Sequence, residues 1–367
     1  MTDGGVGIGI IGCGNISGAY LKAARHFPIL DVRAVADLNM DAARARGAEF
    51  GVPAVSVEAL LADPAIAIVV NLTIPQAHLS VGLQALDAGK HVHGEKPLCV
   101  TLDDGRRLVA HAEARGLRVG CAPDTFLGGA HQTARKLVDE GAIGRPVGGT
   151  AFFMCPGHER WHPNPAFYYA KGGGPMLDMG PYYVTDLVNL LGPVARVSGQ
   201  TSMLRASRPI YSEPLKGQSI DVEVPTHVAG LLTFRNGAIV TIVMSFDVPK
   251  HRHLPLEIYG TDATLIVPDP NYFGGQIELA RPRAEWEALP TAHGYADDNY
   301  RIIGVADMAH AIRGNRPHRA SGALALHVLE VMTAIERSAE IGTPVDIESA
   351  PERPAMLPVG LSGGALD

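Results

Sequence analysis

Two stretches of this chain carry groups suited to chemistry. The first is Gly12-Cys13-Gly14-Asn15-Ile16-Ser17-Gly18, directly after the apolar run Val6–Ile11. Glycines between a strand and a helix let backbone N–H groups approach a pyrophosphate, and the helix N-terminus adds favourable partial charge. Gly12, Gly14, Asn15 and Ile16 are the candidate contacts. Ser17 stands where the usual pattern has its third glycine, with Gly18 one place late; serine is small enough for the close helix–strand packing required there. Asp37 ends the next apolar run, 23 residues after Gly14. A carboxylate at that place accepts hydrogen bonds from both adenosine ribose hydroxyls and repels a 2′-phosphate, which favours NAD over NADP. Cys13 reads as a small packing residue rather than a reactive thiol.

The second stretch is Gly172-Gly-Gly-Pro-Met-Leu-Asp178-Met-Gly-Pro-Tyr182-Tyr-Val-Thr-Asp186. Asp178 and Tyr182 are four apart and share one face if the segment is helical. Tyrosine is a poor base at its ordinary pKa of about 10, so Tyr182 needs a neighbouring cation to favour phenolate. Pro181 sits awkwardly in a helix, and Tyr183 reads as structural. His158-Glu-Arg-Trp-His162 matches the His-Glu-x-x-His zinc signature, which needs a helix to bring both imidazoles to one metal. Pro156-Gly157 before it and Pro163-Asn-Pro165 after it leave little room for one, so no metal is expected.

Elements must position these groups. Runs at Gly7–Ile11, Val32–Ala36, Ile66–Asn71, His91–Val92 and Arg118–Cys121 read as strands. They alternate with helical patterns over Asp41–Phe50, Gln76–Ala88 and Leu102–Arg115, with Gly51, Gly89 and Gly116 placed to end them. Such alternation implies a parallel sheet with right-handed crossovers. The rhythm changes after Pro123. A helix over Gln132–Glu140 is followed by strand candidates at Val147–Met154, Ala195–Leu204, His227–Phe234, Ala238–Phe246 and Leu256–Val267, and Asn236-Gly237 is a hairpin signal. A long apolar-striped helix covers Ala323–Ile341. The fold class is therefore α/β: a Rossmann parallel-sheet domain over residues 1–124, an α+β domain with a mostly antiparallel sheet over 125–360, and a loose tail over 361–367. Tyr295, Asn299 and Arg301 form a polar cluster in a late loop, read first as surface and otherwise as a substrate contact.

With 46% hydrophobic and 19% charged residues among 367, the chain can bury two cores and is not disordered. Its formal charge of −7 and the absence of a Lys/Arg run argue against nucleic acid or an anionic membrane as partner. No apolar stretch reaches the roughly 18–20 residues a membrane helix needs. The N-terminus lacks a signal-like segment, and the four cysteines form no Cys-x-x-Cys pair. A reducing cytoplasm is the expected location.

Three further segments carry a resemblance: Asn71-Leu-Thr73-Ile-Pro75 with His78 beyond it, Glu95-Lys96-Pro97, and the glycine-rich stretch through Asp178 and Tyr182. Together they make the chain resemble the glucose–fructose oxidoreductase/inositol dehydrogenase/rhizopine-catabolism (Gfo/Idh/MocA) family over nearly its whole length. The resemblance implies a second domain with a large open sheet whose helices face the cofactor. It implies hydride transfer between NAD(P) and a hydroxyl or carbonyl carbon, usually on a sugar or polyol. It assigns Thr73, Pro75 and His78 to the cofactor-side loop and Glu95 to the nicotinamide ribose. Lys96 becomes the catalytic lysine, with Asp178 and Tyr182 as its partners from the second domain.

On that footing Lys96 would lower the Tyr182 pKa and steady a developing alkoxide. Tyr182 would carry the proton, with Asp178 orienting; the reverse assignment, Lys96 carrying the proton, stays open. His158, Trp161 and His162 read either as a loop that stacks on and hydrogen-bonds a sugar or as a plain structural loop. Asp124 is acidic where relatives carry a basic residue, which puts a substrate contact there in doubt. The function expected is an NAD(P)-dependent dehydrogenase acting on CH–OH groups. The alternatives are an NAD-binding regulator without turnover and an NAD-assisted glycoside hydrolase. A homodimer or homotetramer is expected by analogy.

Overall fold

The computed structural model describes residues 4–367. Its first half alternates strands and helices: β1 (Val6–Ile11), α1 (Ser17–Ala24), β2 (Leu30–Ala36), α2 (Met40–Phe50), α3 (Val57–Ala62), β3 (Ile68–Asn71), α4 (His78–Asp87), β4 (His91–Gly94), α5 (Leu102–Glu113) and β5 (Val119–Cys121). The five strands form one parallel sheet in the order β2-β1-β3-β4-β5. β3 is buried along its length, as a strand covered on both faces must be. Local chemistry sets the helix ends. The Asn39 side chain accepts from Asp41 N at 3.1 Å and Thr101 Oγ1 from Asp104 N at 3.2 Å. Gly51, Gly89 and Gly116 follow their helices with left-handed φ, as expected.

The second half comprises α6 (Gly129–Asp139), β6 (Pro146–Met154), α7 (Gly174–Leu191), β7 (Val194–Ser202), β8 (Ser207–Pro209), β9 (Ser219–Asp221), β10 (His227–Phe234), β11 (Ile239–Ser245), β12 (Leu256–Gly260), β13 (Thr264–Val267), β14 (Ile277–Ala280), β15 (Glu287–Leu289), α8 (Ile303–Gly314), α9 (Gly322–Ile341) and β16 (Val345–Asp346). Nine strands make an open sheet ordered β15-β14-β13-β12-β6-β11-β10-β7-β16, antiparallel except where β6 meets β11. Alternate residues of β10 are buried, and α7 and α9 pack against this sheet. Asn236-Gly237 turns the β10–β11 hairpin, with Gly237 at φ 90°.

Three expectations need correction. The run Leu256–Val267 is two antiparallel strands, β12 and β13, because Thr261-Asp262 turns the chain between them. The tail is not loose: Leu366 is fully buried, Ala365 O accepts from Tyr295 Oη at 2.6 Å, and Asp367 pairs with Arg316 at 2.8 Å. The late polar cluster is not all surface, since Tyr295 is buried. The C-terminal part also returns to the first sheet, where α8 and α9 pack on β5 and Cys121 N donates to Ala320 O at 3.2 Å.

Candidate active site

The glycine loop is closed by its own backbone and by Asp37. Gly12 has φ 104°, and a Cβ there would stand 2.5 Å from the Leu72 carbonyl carbon, so only glycine fits. A Cβ on Gly14 would meet nothing within 4 Å, which leaves open space over the loop on the side a pyrophosphate would take. Ser17 is fully buried and donates to Gly14 O at 2.7 Å, which makes it a working substitute for the third glycine. Asp37 accepts from Cys13 N at 2.7 Å and from Asn39 N at 2.8 Å, so its carboxylate is fixed at the edge of the loop. Cys13 is buried, and burial pushes its thiol up to about 11, as a packing residue. These groups fit a dinucleotide.

Beside the loop a cleft of about 430 Å³ opens between the two sheets' layers. It collects Gly14, Asn15, Ile16, Thr73, Pro75, Glu95, Lys96, Trp161, His162, Asp178 and Tyr182, eleven of the residues singled out from sequence. Gly12 and Asp37 lie at the loop beyond it. His78 does not face the cleft. It is buried, with Nδ1 2.7 Å from Pro97 O and Nε2 3.0 Å from Thr73 O; burial lowers its pKa, and the neutral ring donates to one of these two carbonyls. Glu95 is likewise occupied: one carboxylate oxygen accepts from Tyr20 Oη at 2.7 Å and the other from Lys96 N at 2.9 Å.

α7 carries the second-domain partners. It runs through Pro181 without breaking, and Asp178 and Tyr182 both face the cleft, as the four-residue spacing requires. Gly173 is needed ahead of the helix because a Cβ there would stand 2.4 Å from Phe167 O. Lys96 Nζ bonds Asp178 twice, to Oδ1 and to the backbone carbonyl, both at 2.7 Å. An ammonium has three N–H groups, so one is left for the cleft. Burial alone would depress the Lys96 ammonium, but Asp178, Tyr182 and Glu95 outweigh it and hold Lys96 charged, above its ordinary value. Burial would lift the Asp178 carboxyl; Lys96 and the His158 ring outweigh that and hold it at about 2.

Tyr182 departs from expectation. Lys96 Nζ sits over its ring, 5.4 Å from the centroid. Lys96 does favour the phenolate, but burial outweighs it and the phenol is raised rather than lowered. Tyr182 is therefore a neutral donor at neutral pH. Arg301, expected in a surface loop, also bears electrostatically on Tyr182, Glu95 and Tyr20. Its guanidinium is anchored by Asn271 Oδ1 at 2.7 Å. Asp124 turns out to be buried structure: its Oδ2 accepts from Ile302 N at 3.0 Å and Gly304 N at 2.9 Å at the start of α8, and burial lifts its carboxyl to about 6.

The His-Glu-x-x-His segment is a short 3₁₀ turn over His158–Arg160. Both His158 ring nitrogens are engaged, with Asp178 Oδ2 at 2.9 Å and Trp161 Nε1 at 3.1 Å. Glu159 is fully committed to Tyr169 and, at 3.0 Å, to the buried Arg208, so the motif has no free ligand set. Trp161, His162, Phe167 and Tyr168 form an aromatic wall of the cleft. Phe167 and Tyr168 were not legible as site residues. Their only sequence signal is the aromatic cluster just ahead of the glycine run.

Comparison with known proteins agrees with this layout. Residues 6–122 match the model of an oxidoreductase family with an NAD-binding Rossmann fold, and residues 131–266 match the GFO/IDH/MocA C-terminal domain. A dTDP-3,4-didehydro-2,6-dideoxy-alpha-D-glucose 3-reductase of Streptomyces violaceoruber is 34% identical over 91% of this chain and 95% of its own length. A 1,5-anhydro-D-fructose reductase of Ensifer adhaerens is 25% identical over 93% and 98%. The fold is shared with a levoglucosan dehydrogenase in complex with NADH and L-sorbose, at TM-score 0.82 and 21% identity over 94% of this chain and 99% of that one.

Proposed function

The chain is a member of the Gfo/Idh/MocA oxidoreductase family, and from that premise we propose that it is an NAD-dependent sugar dehydrogenase or reductase with Lys96 as its proton carrier. The single observation that carries this reading is the Lys96–Asp178 pair across the cleft, with one Lys96 N–H left over. A bound nicotinamide supplies the hydride exchange with the substrate carbon. The protein must then hold the substrate oxygen and manage its proton. Lys96 is held as ammonium, so it can give a proton to a carbonyl oxygen as that oxygen gains charge. In the oxidative direction the same group must first yield a proton, which its pairing with Asp178 resists. The same pairing also opposes release of that proton to a carbonyl oxygen, so it fixes where the proton rests and not the direction of turnover.

Tyr182 would hold the remaining side of the substrate as a donor, with Arg301 bearing on its phenol. The aromatic wall suits the apolar face of a sugar ring, with exposed Trp161 as the platform. Both reductase relatives are named for sugar substrates, which supports the same substrate class. The Asp37 carboxylate supports NAD over NADP. The test is a panel of sugars, keto-sugars, anhydrosugars and polyols with each coenzyme in both directions. Turnover of at least one sugar with NAD(H) is expected. Coenzyme that stays bound through purification and shows no net change during cleavage of a glycoside would instead support the hydrolase alternative.

A further inference from the structure

The hydrogen atoms around Asp178 can be placed from chemistry alone. Indole nitrogen is a donor only, and Trp161 Nε1 stands 3.1 Å from His158 Nδ1. That ring nitrogen must therefore accept, and the neutral imidazole carries its proton on Nε2. Nε2 is 2.9 Å from Asp178 Oδ2 and donates to it. The other carboxylate oxygen, Oδ1, holds Lys96 Nζ. Trp161, His158, Asp178 and Lys96 thus form one hydrogen-bonded chain that ends at the cleft.

We propose that His158 is a positioning residue for the reaction, locked as its Nε2–H tautomer by Trp161 so that Asp178 presents a fixed oxygen to Lys96. The inference rests on Lys96 as the proton carrier. The ring has little freedom to do anything else. It is buried between Tyr168 and Phe246, at centroid distances of 4.3 and 4.6 Å. Its backbone N–H donates to Tyr169 Oη at 3.2 Å, and Tyr169 in turn donates to Glu159, which pairs with buried Arg208. Without the His158 bond, Asp178 keeps its charge but loses its fixed rotamer, and the spare Lys96 N–H loses its aim. The expected consequence falls on the rate, not on coenzyme binding.

The lock also controls charge. A second proton on His158 would have to sit on Nδ1, facing the Trp161 N–H. The other groups around the ring are Asp178 from α7, Glu159 and His162 from its own loop, Tyr168 and Tyr169 beyond it, and Phe246 from the end of β11. Replacing Trp161 by Phe removes the donor that fixes the tautomer, so the ring proton is free to move to Nδ1 and Nε2 no longer has to donate to Asp178.

Two measurements test this. Ring nitrogen NMR on histidine-labelled protein, with His158 assigned by its loss in His158→Gln, reads the tautomer without any substrate. An Nε2–H ring with unprotonated Nδ1 at neutral pH is expected, and a mixture of tautomers in Trp161→Phe. An Nδ1–H tautomer or an imidazolium in the unmodified protein would overturn the proposal. Kinetics on the best sugar give the second arm. His158→Ala should lower kcat roughly ten- to a hundredfold, the effect of losing one hydrogen bond to a charged group, with NADH affinity unchanged. His158→Gln, whose amide nitrogen reaches the Nε2 position, should recover to within about threefold. Equal rates in wild type and His158→Ala, or no rescue by Gln in a folded protein, would reduce His158 to packing. If no sugar is turned over at all, the function proposed above fails while the NMR arm still decides the tautomer.

Discussion

Asp37 and Lys96 each sit just past a strand of the parallel sheet; Asp37 is held by two backbone N–H groups, and Lys96 by the backbone carbonyl and the carboxylate of Asp178. Replacing Asp37 by Ser removes the carboxylate that faces a 2′-phosphate. A shift of the NADP⁺/NAD⁺ ratio of kcat/KM toward NADP⁺ by at least about tenfold is expected, since like-charge contact costs several kcal/mol. The loop itself should hold, because a serine hydroxyl can still accept from Cys13 N. Residues of this kind are legible in the amino-acid sequence: the glycine spacing, Asp37, and the Asp178–Tyr182 interval all survive. The Tyr182 pKa is not, because its sign depends on how deeply the phenol is buried, and sequence gives the neighbours of a group without its depth. Arg301 and Tyr168 were missed for a related reason. Both come from loops that have no period to read: packing of loop against helix brings Tyr168 to the cleft and sets Arg301 where it bears on Tyr182.

Loops and helix ends carry the next set of consequences. Arg208 is buried between Glu159 and Asp247, at 3.0 and 2.8 Å, and ties the His158 loop to the end of β11. Arg208→Met would strand the buried Glu159 carboxylate and the part-buried Asp247 and should cost about 3–5 kcal/mol in urea unfolding. Asp124 shows how a site expectation can resolve into architecture. Asp124→Ala leaves two buried N–H groups at the start of α8 unpaired, for a loss of about 1–3 kcal/mol. Asp124→Asn keeps an acceptor oxygen there and should stay within about 1 kcal/mol of wild type. Equal losses in both variants would mean that charge, not hydrogen bonding, matters at that position. The helices and the hairpin were legible from caps, glycines and Asn236-Gly237. Arg208 was not, since its partners lie 49 and 39 residues away in sequence.

At the scale of the molecule, one wall of the cleft comes from the loops of the parallel sheet and the other from Trp161–Tyr182, ahead of and within α7. A buried pair outside the cleft links α6 to α7: His131 Nδ1 donates to Asp186 Oδ2 at 2.7 Å and Nε2 donates to Tyr272 O at 2.9 Å. Burial opposes the imidazolium, but Asp186 outweighs it and the His131 pKa is raised. A raised folded value stabilises the fold below the unfolded value of about 6.5 and loses that contribution as pH rises through the folded one. The urea midpoint should therefore fall as pH rises above about 6.5, and this slope should flatten in His131→Gln. No helix among the described residues is long and apolar enough to cross a membrane. The most direct measurement on the whole enzyme compares wild type, Lys96→Met and Tyr182→Phe, with kcat on the best sugar and NADH affinity read separately. Lys96→Met should lose roughly 10²–10⁴ in kcat, the span of a lost proton-transfer group, with NADH affinity little changed and Tyr182→Phe far less affected. Wild-type turnover in Lys96→Met, or a collapse confined to Tyr182→Phe, would contradict Lys96 as the proton carrier.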